Sequence, residues 1–147
     1  MYSDSMSTIR VPLLGTIATG MPIAVPASDF ALFDDASYIE ISADLLPAGV
    51  SGSELFALEV RGTGMIEAGL YDCDIVILQP VTTCADGDIV AVWFPDRSET
   101  VLTRLYREGE GYRLQPANAT FKPILVPAGH PLEVKGKVVA MIRTIRD

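Results

Sequence analysis

Leu55–Leu78, LFALEVRGTGMIEAGLYDCDIVIL, places two β-like runs around a glycine-punctuated centre, and its reading decides the fold. Leu55 to Arg61 alternates apolar and polar side chains, as a half-buried strand does. Asp74 to Leu78 is β-branched and continuous, which predicts a strand covered on both faces. Between them Gly62, Gly64 and Gly69 mark turns, and Met65 to Ala68 fits one short helical turn.

The same rhythm continues in both directions. Asp88 to Phe94 is another buried run, closed by Pro95-Asp96. Thr100 to Tyr106 alternates, and Gly109-Glu110-Gly111 turns it into Tyr112 to Gln115 as a hairpin. Leu132 to Arg143 reads as a long β stretch broken at Gly136, and Ser42 is placed to cap a single helical turn over Ser42 to Leu46. There are no heptads and no internal repeat. These signals predict a mostly β protein whose several short, curled antiparallel sheets form a barrel-like core. Residues 1–10 read as a flexible leader and residues 30–147 as the β domain. Residues 11–29, with Pro12, Gly15, Pro22 and Pro26, read as an irregular arm lying across a surface.

At 147 residues, 49% of them hydrophobic, the chain holds one globular domain. No apolar run is long enough for a bilayer and the first ten residues lack a signal peptide's apolar centre, so a cytoplasmic protein with no membrane partner is expected. The net charge of −8 argues against a grip on nucleic acid by this part of the chain, because such affinity comes from Lys and Arg releasing counterions. The lysines are only Lys122, Lys135 and Lys137. Cys73 and Cys84 have no metal-ligand spacing and read as buried free thiols, and His130 reads as a surface turn residue. No metal and no cofactor are expected.

Gly62-Thr63-Gly64-Met65, Gly69 and Asp72-Cys73-Asp74 resemble the active-site turn of the C-terminal domain of LexA-type SOS repressors. That family reads Gly-Asp-Ser-Met, then Gly, then Asp-Gly-Asp. Further blocks follow in the family's order: Gly87-Asp88-Ile89-Val90, Leu102-Thr103-Arg104-Leu105, Pro116-Ala117-Asn118, Phe121-Lys122-Pro123-Ile124 and Gly136 to Arg143. Val11-Pro12-Leu13-Leu14-Gly15 followed by Ala18-Thr19-Gly20 is similar to the segment where the family cuts its own Ala-Gly bond. The fold implied is the β core shared with signal peptidases. A signal peptidase itself also needs a membrane anchor.

The resemblance implies a chemistry that these residues do not support. In the family a serine attacks the scissile carbonyl and a lysine, held neutral by burial, takes its proton. Here Gly64 stands at the nucleophile position and Thr103 at the general-base position, and the scissile pair is Thr19-Gly20. Autocleavage is therefore expected to be lost. Changes at all three places together fit natural drift better than an engineered knock-out, although substitution by design stays open. What the resemblance leaves is pairing of two chains, expected at the final strand through Val138, Val139, Ala140, Met141, Ile142 and Arg143. DNA would then be reached only through a separate N-terminal domain, since ten residues before Val11 are too few for a helix-turn-helix. The resemblance also implies an activated recombinase filament as a partner. A stand-alone relative of the SOS mutagenesis accessory protein of an error-prone polymerase remains the alternative.

Overall fold

The computed structural model describes residues 8–24, 37–50 and 54–144. In chain order its strands are β1 (Thr8–Ala18), β2 (Ile23–Ala24), β3 (Tyr38–Ser42), β4 (Phe56–Arg61), β5 (Ile75–Gln79), β6 (Ile89–Phe94), β7 (Glu99–Glu108), β8 (Gly111–Gln115), β9 (Ile124–Val126) and β10 (Glu133–Ile142). Two single 3-10 turns, Ala43–Leu45 and Ile66–Ala68, lie among the described residues. The first is capped as expected, with the Asp44 amide donating to the Ser42 hydroxyl at 3.2 Å. No helix among the described residues is long and apolar enough to cross a membrane.

The mostly β expectation holds, but the arrangement differs from several short sheets curled into a barrel. The described strands form one continuous, unclosed path in the order β3-β1-β4-β5-β10-β6-β7-β8-β9, with β2 attached to β7. One pairing, β1 with β4, is parallel. The Gly109–Glu110 turn joins β7 to β8 as the hairpin signal required, closing at Glu108↔Gly111.

The half-buried reading of Leu55 to Arg61 is corrected. Phe56, Ala57, Leu58 and Val60 are all buried, because Leu58 and Val60 join one apolar cluster while Ala57 joins another on the opposite face of the sheet. Alternation in that segment rests on Glu59 and Arg61 alone. The continuous run behind it behaves as expected, with Val76, Ile77 and Leu78 fully buried.

Two expectations about the start of the chain are also corrected. Residues 8–10, placed in a flexible leader, open β1 and pair with β3, Thr8 opposite Ser42. Residues 11–18, read as a surface arm, are the rest of a core strand with Val11 and Ile17 buried. Pro12 is tolerated because it sits exposed at the end of the β3 ladder, opposite Tyr38, just before β1 changes partner. Gly15 absorbs the register shift as β1 moves onto β4. Residues 1–7 and the boundary at residues 29–30 lie outside the described residues.

Candidate functional site

The tetrad Gly62–Met65 leaves the end of β4 and is held in place by Asp72 and by the segment Ala117–Thr120. The Gly62 amide donates to Asp72 Oδ1 at 2.8 Å. Asn118, itself buried, donates from Nδ2 to the Thr63 carbonyl at 2.7 Å and accepts from the amide and hydroxyl of Thr120. The Ala117 amide reaches Met65 Sδ at 3.4 Å, and its carbonyl accepts from the Glu67 amide at 2.8 Å. Met65 is fully buried, which anchors the turn in the core.

Asp72, Cys73 and Asp74 return the chain to β5. The hydrogen bond from the Gly62 amide, chiefly, holds the Asp72 carboxyl below the usual carboxylate range, with the Cys73 thiol adding to it. Asp74 is buried and receives Arg143 through two hydrogen bonds, Nε to Oδ1 at 2.8 Å and Nη2 to Oδ2 at 2.7 Å. That guanidinium is the main cause of a lowered Asp74 pKa, and the Tyr71 amide at 2.8 Å contributes. Both aspartates are therefore structural ties, each closing one end of the loop.

The reading of Cys73 as a buried thiol is corrected: it is exposed, with φ of 76°. A non-glycine residue rarely adopts that left-handed conformation. The Arg61 guanidinium at 3.4 Å and Asp72 Oδ2 at 3.3 Å flank its sulfur. Cys84 is half-buried, packed beside the cluster containing Phe94 and Leu105, and burial pushes its thiol pKa up. His130 is partly exposed in its turn, 3.5 Å from Asp96. Among the described residues no group of three or more His, Cys, Asp or Glu could hold a metal ion.

Thr19 and Gly20 lie directly on the tetrad. The Thr19 amide and hydroxyl both donate to the Arg61 carbonyl at 3.0 Å, and the Gly64 amide donates to the Thr19 hydroxyl at 2.9 Å. A β-carbon built on Gly64 would collide with the backbone nitrogen and α-carbon of Gly20 and come to 2.6 Å of the Thr19 carbonyl carbon. The Thr19–Gly20 peptide thus occupies the space where a side chain at position 64 would begin. Gly20 has φ of 88° and lies against the Phe121 ring, a position that tolerates no side chain. Sequence reasoning misses the contact that Phe121 makes, and its place in the Phe121-Lys122-Pro123-Ile124 block is the signal for it.

Thr103 sits on β7 opposite Val90 and is buried, with its hydroxyl donating to the Arg104 carbonyl at 3.3 Å. It is next to Leu102, which bridges to Thr19 in parallel fashion. Gly64, Thr19 and Gly20 are therefore gathered in one region, and Thr103 is linked to it only through its chain neighbour Leu102. No described amine substitutes for a base there: Lys137 Nζ lies 3.6 Å from Asp88, Lys135 Nζ 2.9 Å from Glu133, and Lys122 is exposed. Thr63 is exposed.

The six residues singled out on the last strand lie elsewhere. β10 is not an outer strand: Glu133–Lys137 pairs with β6 and Lys137–Ile142 pairs with β5. Simple alternation along it fails because its register shifts between Val138 and Ala140. Val138 and Met141 consequently pack toward one cluster, and Val139, Ala140 and Ile142 toward another. Arg143 is committed within the chain, bonding the Gly69 carbonyl at 2.7 Å besides Asp74 and lying 4.8 Å above the Tyr71 ring. Val138–Ile142 remain only half-buried, and β5 is their one ladder partner among the described residues.

The sequence that builds this site has known relatives. The family described as peptidase S24-like matches residues 12–139, and the chain belongs to it. The chain is similar to LexA repressors: at 40% identity to those of Herpetosiphon aurantiacus and Roseiflexus sp., covering 92% of this chain and 61% of each relative. With the LexA repressor of Granulibacter bethesdensis identity is 37%, over 96% of this chain and 53% of that protein. The chain thus spans roughly half to three fifths of the length of these curated relatives and is a LexA-like domain.

Proposed function

We propose that this chain is the C-terminal dimerisation domain of a LexA-like transcriptional repressor that has lost self-cleavage. The observation that carries this reading is Gly64, where the turn offers no side chain and the Thr19–Gly20 backbone fills the space a nucleophile would need. A buried threonine hydroxyl at position 103 adds to it, because threonine is neither acid nor base near neutral pH. Loss of the nucleophile in a serine protease costs on the order of a million-fold in turnover, and loss of the base adds little more.

The retained role is to pair two chains through the half-covered end of β10, while a separate N-terminal domain of a longer cytoplasmic protein contacts the operator. The charge of −8 supports this division, since it disfavours phosphate binding by the β domain. An activated recombinase filament that still docked on this domain would not relieve repression by cleavage. Control then passes to abundance or to another protein.

The test is intact mass after long incubation at neutral and alkaline pH, with and without an activated recombinase filament. The chain is expected to stay whole in every arm. A fragment beginning at Gly20 would overturn the reading and place the chemistry on another residue.

A further inference from the structure

We infer that residues 8–24 are a permanently seated strand of this domain, and that Gly64 and the Thr19 hydroxyl lock it there and close the groove to any other extended peptide. Five attachments along the segment support this. β1 is zipped to β3 at Thr8–Pro12 and to β4 at Leu13–Ala18, burying Val11 and Ile17. Thr19 then bridges to Leu102, and β2 pairs with β7 at Ile23↔Thr100 and Ala24↔Glu99. Gly20 is enclosed between Gly64 and the Phe121 ring.

The lock has two parts. The first is steric: any β-carbon at position 64 would meet backbone, which cannot rotate away as the end of a flexible side chain could. The second is polar. The Gly64 amide, which in an acyl-transfer turn would be free to stabilise a developing oxyanion, is engaged by the Thr19 hydroxyl. That hydroxyl simultaneously donates to the Arg61 carbonyl, so one side chain is tied to the turn at two points, Arg61 and Gly64. Undocking would strand buried backbone groups and expose the apolar face of β1. The seating rests on this packing and not on the repressor reading, so each can fail without the other.

Amide hydrogen exchange of the full chain, resolved by residue, tests the lock. The Thr19 and Gly64 amides are expected to be protected as strongly as those of Ile77 and Val92 in the centre of the sheet. Exchange at Thr19 and Gly64 faster by about a hundred-fold than at Ile77 would mean an arm that opens locally, and would overturn the inference. In Gly64→Ala, exchange at Thr19 is expected to rise at least ~10-fold with Ile77 unchanged. Native-like protection at Thr19 in that variant would refute the steric part. Should Gly64→Ala fail to fold, Thr19→Val and Thr19→Ser decide. Valine is expected to expose the Gly64 amide while serine keeps it protected, and identical behaviour of the two would overturn the polar part.

Discussion

Asp74 and Arg143 are joined across 69 residues of sequence, and their pairing ties the end of the chain to the loop before β5. Because Arg143 holds the folded Asp74 carboxyl below its ordinary range, the sign of the pH dependence follows. On acidification the unfolded chain takes up a proton at the usual carboxylate pKa of about 3.9, before the folded chain does. The stabilisation is therefore complete above that range and is lost as pH falls through the folded value. Asp74→Asn is expected to lower stability by about 2 kcal/mol at neutral pH. It should also flatten the acid limb of a urea-midpoint series taken from about pH 6 to about pH 3. Asp72, lowered through the Gly62 amide, keeps part of the slope in the variant. An Asn variant that loses stability with acid as steeply as the native chain would contradict this role.

β1 decides how the domain start should be regarded. Its proline and glycine suggest an irregular arm, yet it is a strand that runs beside β3 and then, in parallel, beside β4. Ile17 is 1% exposed and belongs to the cluster containing Leu58, Met65 and Leu102. Ile17→Ala is expected to cost about 3 kcal/mol, the range for deleting a fully buried aliphatic side chain. The comparison is a urea melt of the two proteins at equal m-value. A change below ~0.5 kcal/mol, as at a surface position, would return β1 to the status of a loosely attached arm.

At the scale of the whole molecule, one open sheet leaves edges that must be paired, covered or blunted. The ladder from β10 to β6 ends at Lys137↔Val90, leaving Val138–Ile142 with a single ladder neighbour among the described residues and half-buried apolar side chains. Such an edge can meet its own twin about a two-fold axis, each strand pairing antiparallel with the other. Equilibrium sedimentation at micromolar concentration is expected to give twice the 15.8 kDa chain mass. Val139→Lys should give a folded monomer, with folding checked by circular dichroism. A native chain that sediments as a monomer, or a Val139→Lys variant that stays dimeric, would exclude pairing at this edge.

Much of this was legible in residue order. Runs such as Asp74 to Leu78 and Asp88 to Phe94 are β-branched and unbroken, which fixes strands covered on both faces whatever their partners are. The Gly109–Glu110 hairpin and the Ser42 cap are equally local, since a few neighbouring residues set their backbone angles and hydrogen bonds. The motifs from Gly62 to Asp74 also identified the family before any coordinates, because their order and spacing are carried by the chain itself. The tertiary structure alone decided what those local signals cannot encode. It made β1 a parallel core strand, moved β10 from the edge to the middle of the sheet, and exposed Cys73. It also laid Thr19–Gly20 on Gly64, a contact between residues 44 apart that depends on Phe121, Leu102 and Arg61 arriving together. Such contacts arise when distant segments share one packed volume, and hydrophobic periodicity records only that a residue is buried, not against what.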